Sequence, residues 1–390
     1  MRYLDGPLLV LAGAGSGKTS VITQKIAYLI EQRDFPPNKV VAVTFTNKAA
    51  REMRNRVNTV STQARGLWVS TFHQLGLSVL RKEHKHLGLR SGFSILDQTD
   101  GTSVLRELLA QELALDPDQS GQILQAISRC KAEGITPEQA QQTASTPLDV
   151  LNSACYERYQ RALKAYNSLD FDDLIFLPNC LFRDHPDIRD QWQNRVRYLL
   201  VDEYQDTNGS QYELIQHLMG TNSNLTVVGD DDQSIYAWRG AKPENLVTLG
   251  EDYPHLKVIK LEQNYRSTAT ILQCANSVIA NNPHVYEKAL WSELGRGDKV
   301  RVQSAADEYA EAEQVVAEII DHKMRRGLQY GCYAILYRGN HQAKVLELEL
   351  QRFRIPYQLS GGTSFFARAE IKDILCYLRL LVNPDDDNAF

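Results

Sequence analysis

The chain has 390 residues, and at about 100–200 residues per domain it divides into two to four domains with room for a sizeable core. Its 43 basic and 48 acidic residues leave a formal charge of −5, which excludes a uniformly basic coat and confines any polyanion site to a local channel. Six scattered cysteines (130, 155, 180, 274, 332 and 376) without a Cys-x-x-Cys pair argue against a zinc site and a disulfide framework and fit a reducing cytosol, and no apolar run approaches the ~18 residues of a membrane span.

In chain order, Leu8-Leu9-Val10-Leu11 predicts a buried strand rather than a signal peptide, because it lacks a cleavage pattern and feeds the glycine-rich loop Ala12-Gly13-Ala14-Gly15-Ser16-Gly17-Lys18-Thr19. Ile22, Ile26, Leu29 and Ile30 then recur at helical spacing, and Pro36-Pro37 closes that helix. Val40-Val41-Ala42-Val43 predicts a second strand, Thr44-Phe45-Thr46-Asn47 leads into a helix starting at Asn47, and the segment from Leu67 to His73 predicts a third strand. This βαβα order implies a parallel sheet with right-handed crossovers. Between residues 76 and 190 the alternation gives way to helices over 104–115, 123–132 and 148–165, separated by Asp-Pro, Thr-Pro and Gly punctuation. Strands return at Tyr198-Leu199-Leu200-Val201, Leu225-Thr226-Val227-Val228 and Val258-Ile259, so the first domain is discontinuous. From residue 267 a second αβ pattern runs through strands at 300–302, 333–337 and 357–359 and helices at 310–320 and 345–353. Gly361-Gly362 punctuates it, and Ile371, Ile374, Leu375, Leu378 and Leu381 outline a further helix. There is no fixed-period repeat and no low-complexity segment.

The glycine loop between strand and helix is the setting of a phosphate cradle: its backbone N–H groups face a polyphosphate, Lys18 reaches the β/γ-phosphates, and the Thr19 hydroxyl suits Mg²⁺. The bland alternative is a glycine-rich turn with a chance Gly-Lys-Thr. Asp202-Glu203, closing a strand, supplies a metal-holding carboxylate and a general base for a P-loop enzyme, where the alternative is a solvated turn. Gln233, at the end of Gly229-Asp230-Asp231-Asp232, is suited to a γ-phosphate or the attacking water, or is part of a polar loop. Tyr236, Trp238 and Arg239 either stack unpaired bases or are ordinary core. Arg266 is either a finger on the γ-phosphate or a surface ion-pair residue.

Taken together, the glycine loop, Val201-Asp202-Glu203-Tyr204-Gln205-Asp206-Thr207-Asn208, Gly229-Asp230-Asp231-Asp232-Gln233-Ser234-Ile235-Tyr236 and Gln263-Asn264-Tyr265-Arg266-Ser267 resemble the superfamily 1 DNA helicases of the UvrD/Rep/PcrA group, over essentially the whole chain. The resemblance implies an α/β fold: a P-loop NTPase (RecA-like) parallel-sheet domain at 1–75 and 191–266, an all-helical insertion at 76–190, part of a second RecA-like domain at 267–363 and the start of a helical domain at 364–390. It implies an ATP-dependent 3′ to 5′ helicase or translocase on single-stranded DNA acting in replication or repair. Its cofactors would be ATP and Mg²⁺, with catalysis by Lys18, Glu203, Gln233 and Arg266, nucleotide binding by residues 12–19 and Tyr265, and Mg²⁺ at Thr19 and Asp202. DNA contacts are implied at Phe45, Thr46, Asn47, Thr71, Phe72, His73, Tyr236, Trp238 and Arg239, and Tyr337, Arg338 and Asn340 match a further motif. Expected partners are single-stranded and forked duplex DNA and replisome or repair proteins, in a bacterial, nucleoid-associated cytoplasmic setting without a membrane.

Three features depart from that group. Only Met1 to Gly6 precede the first strand, without the upstream glutamine that reads adenine; Ser20 stands where an arginine is usual; and nothing after Phe390 supplies the late motifs. The chain is therefore expected to be a piece of a longer helicase. The alternative is a truncated ATP- and single-stranded-DNA-binding module without unwinding activity. A P-loop kinase or GTPase would not account for Trp238-Arg239, the helical insertion or the second αβ pattern.

Overall fold

The apolar runs in the first part of the chain pair into one sheet, and their alternate residues supply two cores. The computed structural model describes residues 2–110, 116–219, 224–284, 286–360 and 368–389. These form two compact units, residues 1–298 with 378–390, and residues 299–377. The first unit begins β1 (Leu8–Ala12), α1 (Lys18–Gln32), β2 (Val40–Thr44), α2 (Asn47–Val60), β3 (Trp68–Thr71) and α3 (Phe72–Glu83). It continues through β4 (Ser94–Ile95), α4 (Gln98–Leu108), α5 (Ser120–Ala132), α6 (Pro137–Thr143), α7 (Pro147–Ala165), β5 (Ser168–Leu169), α8 (Asp173–Asp184) and α9 (Pro186–Arg195). Then come β6 (Tyr198–Val201), α10 (Gly209–Met219), β7 (Leu225–Gly229), α11 (Asn245–Asp252), β8 (Lys257–Leu261) and α12 (Ala269–Ile279).

Six strands lie in the order β3-β2-β6-β7-β1-β8, every pair parallel. Because side chains alternate along a strand, Leu9, Leu11, Val41, Val43, Leu199, Val201 and Val227 enter one core while Leu8, Val10, Val40, Ala42, Tyr198, Leu200 and Val228 enter the other. Helices α1 and α2 cover the second face with Ile22, Ile26, Met53 and Val57; Leu75, Val79, Phe182, Trp192 and Ile215 cover the first. Burial on both faces is why these strands read as unbroken apolar runs. The edge strand β8 exposes Lys257 and Lys260, which discourages further pairing.

The third strand is shorter than its apolar signal. It stops at Thr71, whose hydroxyl accepts the Gln74 N–H at 3.3 Å in a capping box, so Phe72 and His73 open α3 instead of extending the sheet. Likewise Thr46 caps α2, accepting the Ala49 N–H at 3.1 Å. The Thr-Pro pairs do punctuate helices: Thr136 and Thr146 cap α6 and α7, with Pro137 and Pro147 at the first helical position. The helix expected over 104–115 starts earlier, at Gln98 behind the cap Asp97, and residues 111–115 lie outside the described residues. Leu105, Ile123, Ile127, Tyr156, Tyr159 and Leu163 form a separate core between helices. The region expected to be all-helical is not entirely so: β4 and β5 pair in parallel, Ser94 opposite Ser168 and Ile95 opposite Leu169, a pairing too short to leave a periodic signal in the sequence.

Within that helical region the Lys131 ammonium lies 2.7 Å from Asp170 and 2.8 Å from Asp173, all three buried, with the Tyr159 ring 5.4 Å away. Burial works against the lysine charge, yet the two carboxylates hold its pKa above the ordinary value; burial and Asp170 together raise Asp173. At the start of α3, the His73 ring stacks on Phe171 at 4.0 Å, and burial lowers its pKa to about 4. Residues 378–390 also belong to the first unit: Arg379 meets Asp100 at 2.8 Å, and Asn383 donates to Ser94 Oγ at 3.1 Å and to the Tyr166 carbonyl at 2.9 Å.

The second unit carries α13 (Glu308–Arg326), α14 (Asn340–Arg352) and the beginning of α15 (Ala369–Val382), with a small core of Val316, Leu350 and Ile355. All three helices lie where the sequence periodicity puts them. The three strands expected at 300–302, 333–337 and 357–359 do not form; these segments have no regular secondary structure and join no ladder among the described residues. A strand needs a neighbour for its hydrogen bonds and a layer over its apolar face, and here Val302 is 95% and Leu336 94% exposed. The Gly361-Gly362 pair lies outside the described residues. No helix among them is long and apolar enough to cross a membrane.

Two stability measurements follow from this packing. Lys131→Met leaves Asp170 and Asp173 buried without their cation and is expected to cost about 3–5 kcal/mol in urea unfolding; an unchanged midpoint would show that the triad is not held together by charge. His73 refuses, when folded, a proton that the unfolded chain accepts below its ordinary pKa of 6.5, so stability is lost as pH falls from 6.5 towards 4. The loss reaches about 3 kcal/mol at the acid end. His73→Gln should flatten this part of the stability–pH curve, and a curve of unchanged slope would contradict the assignment.

Candidate functional site

Every chemistry-bearing stretch singled out in the first unit except Trp238 and its neighbours sits directly beyond the carboxyl end of a sheet strand, where parallel α/β sheets bind ligands. After β1 the glycine loop closes on itself, with Ser16 Oγ and Ser16 N both donating to the Gly13 carbonyl at 2.8 and 3.2 Å. Gly17, left-handed at φ +94°, begins α1, and no side chain caps it. The loop is gripped from the segment after β8. Asn264, buried, donates its amide to the Ala14 carbonyl, and the Tyr265 N–H donates to the Gly15 carbonyl at 3.0 Å. Asn264 Oδ1 in turn accepts the Arg266 and Ser267 N–H groups at 2.8 and 2.7 Å. A Cβ at Gly15, whose φ is +74°, would lie 2.7 Å from the Asn264 amide, so the grip requires glycine there.

After β6, the Asp202 N–H extends the ladder to the Val43 carbonyl at 2.8 Å, and Glu203 turns left-handed at φ +51°, a conformation that costs a non-glycine residue about 1–2 kcal/mol. That turn aims two adjacent acids differently. Asp202 is buried and accepts the Glu203 N–H at 3.1 Å. Glu203 Oε2 accepts Lys18 Nζ at 2.8 Å and Gln205 Nε2 at 2.9 Å. Lys18 Nζ also donates to Gln233 Oε1 at 3.1 Å, the Gln233 amide donates to Asp230, and the Asp230 N–H donates to Gln205 Oε1 at 2.9 Å. Lys18, Glu203, Gln205, Asp230 and Gln233 thus close a ring of hydrogen bonds.

Burial and the Glu203 charge raise Asp202 to about 7, only partly offset by Lys18. Burial also works to raise Glu203, but the Lys18 charge and the Lys18 and Gln205 hydrogen bonds outweigh it and leave Glu203 below the ordinary carboxylate value. Asp206 is pushed up to about 6, chiefly by burial. At neutral pH Glu203 is therefore an ionised acceptor, while Asp202 is a buried carboxylate whose charge calls for a cation. The Thr19 hydroxyl and the Asp202 carboxylate are hard oxygen donors that fit Mg²⁺.

Arg266 and Tyr265 are exposed beside the loop, Tyr265 donating its hydroxyl to Gln263 Oε1 at 2.9 Å. The aromatic set divides. Phe45 and Tyr236 stack at 5.3 Å with their planes 22° apart, and the Arg239 guanidinium lies 4.5 Å from the Trp238 ring, which is 68% exposed and so not core. Thr46 and Asn47 are exposed at the start of α2, and His73 is half-buried on Phe171. Thr71 and Phe72 are buried, the first as a helix cap and the second in the sheet core, so neither offers its side chain to a ligand. In the second unit Arg338 is exposed ahead of α14, Asn340 is exposed as its first residue, and Tyr337 is half-buried. Gln205 and Asn264 were not anticipated. Their side-chain amides join segments distant in sequence, and a single glutamine or asparagine carries no spacing signal for that.

Two family patterns match the chain: the UvrD/REP helicase N-terminal domain over residues 1–254 and the UvrD-like helicase C-terminal domain over residues 259–390. The chain is 55% identical over 392 aligned residues to the ATP-dependent DNA helicase Rep of Escherichia coli (strain K12), covering 100% of this chain and 58% of that protein. It is 46% identical over 389 residues to the ATP-dependent DNA helicase PcrA of Staphylococcus aureus (strain Mu50), covering 99% of this chain and 53% of the relative. It therefore spans little more than half the length of these relatives. With a P-loop at the head of a parallel sheet, paired acids at the neighbouring strand ends and both patterns matched in order, the chain belongs to the UvrD/REP helicase family.

Proposed function

We propose that the protein hydrolyses ATP to move 3′ to 5′ along single-stranded DNA and open duplex ahead of it, as an ATP-dependent helicase in replication or repair. The observation that carries this reading is the contact of Lys18 with both Glu203 and Gln233, which joins the phosphate loop to two other strand ends. The sheet of residues 1–75 and 191–266 would be the ATPase domain, 76–190 its helical insertion, 267–363 the contribution to a second RecA-like domain, and 364–390 the start of a helical one.

In this mechanism the loop N–H groups and Lys18 bind the β- and γ-phosphates, and Lys18 exchanges its carboxylate and amide partners for phosphate oxygens. Glu203, ionised and freed of that ion pair, accepts the proton of the attacking water, while Gln233 orients it. Thr19 and Asp202 would hold Mg²⁺, which when bound neutralises phosphate charge. Arg266 offsets charge developing on the γ-phosphate, and Tyr265 offers its ring to the adenine. The Phe45–Tyr236 stack, Trp238 and Arg239, together with Thr46, Asn47 and His73, would receive bases without regard to sequence. Thr71 and Phe72 support that face from below. A bacterial cytoplasmic, nucleoid-associated setting and forked DNA as substrate accord with this reading.

Lys18→Ala should lower DNA-stimulated phosphate release at least about 100-fold; turnover and unwinding that survive it would refute the hydrolytic site. Nucleotide and DNA binding by the wild-type chain without DNA-stimulated turnover would favour the binding-module alternative. Trp238→Ala should weaken binding of an oligothymidylate by about 1–3 kcal/mol in fluorescence anisotropy with nucleotide binding retained, and unchanged DNA affinity would remove Trp238 from the interface.

A further inference from the structure

Three consecutive acids, Asp230, Asp231 and Asp232, immediately precede Gln233 and repel one another. One side chain answers all three. Lys288 Nζ lies 2.7 Å from Asp230 Oδ1 and 2.8 Å from Asp232 Oδ2 and pairs with Asp231 Oδ1, with its side chain only 3% exposed. An ammonium has three donors and no preferred plane, so it suits a point where three carboxylates converge. Burial opposes its charge, but the three carboxylates hold its pKa well above the ordinary lysine value. Asp231, Asp232 and His284 lie close enough together to hold a metal ion, yet the ammonium already lies against both of these carboxylates.

The segment bearing Lys288 also reaches the phosphate loop. His284 Nδ1 lies 2.9 Å from Asp232, and the Tyr286 N–H donates to Asp231 at 3.3 Å. A few residues on, Leu290 packs over Gly13, the Trp291 carbonyl accepts the Asn264 N–H at 2.7 Å, and the Trp291 N–H donates to the Glu262 carbonyl at 3.1 Å. One strap therefore binds the acidic turn at one end and the grip on the glycine loop at the other. Asp230, held by Lys288, accepts the Gln233 amide, and that bond turns Gln233 Oε1 towards Lys18.

We propose that Lys288 is a positioning residue for nucleotide hydrolysis, acting through Asp230 to aim Gln233 at the γ-phosphate site. This rests on the hydrolytic reading above. Lys288 touches neither nucleotide nor water; its effect passes through the orientation of one amide. Removing it should lower kcat for ATP more than it raises KM, and its effect should vanish once Gln233 is gone.

A double-mutant cycle on the protein tests this, with DNA-stimulated ATP turnover and thermal unfolding measured for Lys288→Met, Gln233→Ala and the pair. A wild type that turns over ATP no faster than Lys18→Ala overturns the hydrolytic reading before Lys288 is considered. Given turnover that depends on Lys18, Lys288→Met should lose about 10- to 100-fold in kcat, and the double variant should be no slower than Gln233→Ala alone. Multiplying losses, or a kcat loss no larger than the loss of folded protein, would overturn the proposal. If Lys288→Met does not fold, Lys288→Arg serves in the same cycle. Its planar guanidinium keeps the charge but cannot converge on three carboxylates, so kcat should fall about threefold or more in the presence of Gln233 and not in its absence; wild-type kcat in Lys288→Arg would overturn the proposal.

Discussion

A parallel sheet buried on both faces constrains everything else in the first unit. Each strand must be reached by a crossover, so all six carboxyl ends emerge along one edge, and whatever follows a strand is delivered there. Lys18 and Glu203 are 185 residues apart, and Lys18 and Gln233 are 215 apart, yet both pairs close to hydrogen-bond distance because β1, β6 and β7 end side by side. The long helical region between β3 and β6 does not disturb this, since it leaves and re-enters the sheet between β3 and β6, which flank β2.

Along that edge and in the helical region, the chain repeatedly sets one ammonium against carboxylates taken at least partly out of water. Lys18 serves Glu203, Lys131 serves Asp170 and Asp173, and Lys288 serves three consecutive aspartates. Such clusters add little net stability over a well-packed apolar core, but they penalise every arrangement in which the ammonium is elsewhere. At Asp202 and Glu203 the sharing is uneven. The acid nearer Lys18 stays ionised, and its neighbour, deeper and unpaired, is raised to about 7. Neighbouring acids driven apart in this way are suited to different tasks, one as base and one as metal ligand.

How much of this was legible beforehand differs between the two units. In the first, unbroken Val/Leu/Ile runs, Thr-Pro helix starts and helical spacing were local signals, and the strands of the six-stranded sheet appeared where those signals lay, apart from the early end of β3 at the Thr71 cap; the two-residue strands β4 and β5 appeared without such a signal, in the region expected to be all-helical. In the second, 300–302, 333–337 and 357–359 carried the same kind of signal and formed no ladder, because pairing depends on a neighbour that a run of apolar residues does not itself supply. Among the aromatic residues, identity alone left Trp238 and Phe72 equally eligible for a ligand; exposure separated them, at 68% and 3%.

By itself, then, the sequence determined the order of the six sheet strands and of the longer helices, and the residue types of the phosphate loop, the Asp202-Glu203 pair, Gln233 and Arg266, because backbone propensity and hydrophobic period act over a few neighbouring residues. Only the tertiary structure decided which of these side chains meet. Gln205 and Asn264 bridging strand ends, Lys288 converging on Asp230, Asp231 and Asp232, and the opposite pKa directions of Asp202 and Glu203 depend on distances across the folded sheet and on the exclusion of water there, and neither is encoded in any short stretch of chain.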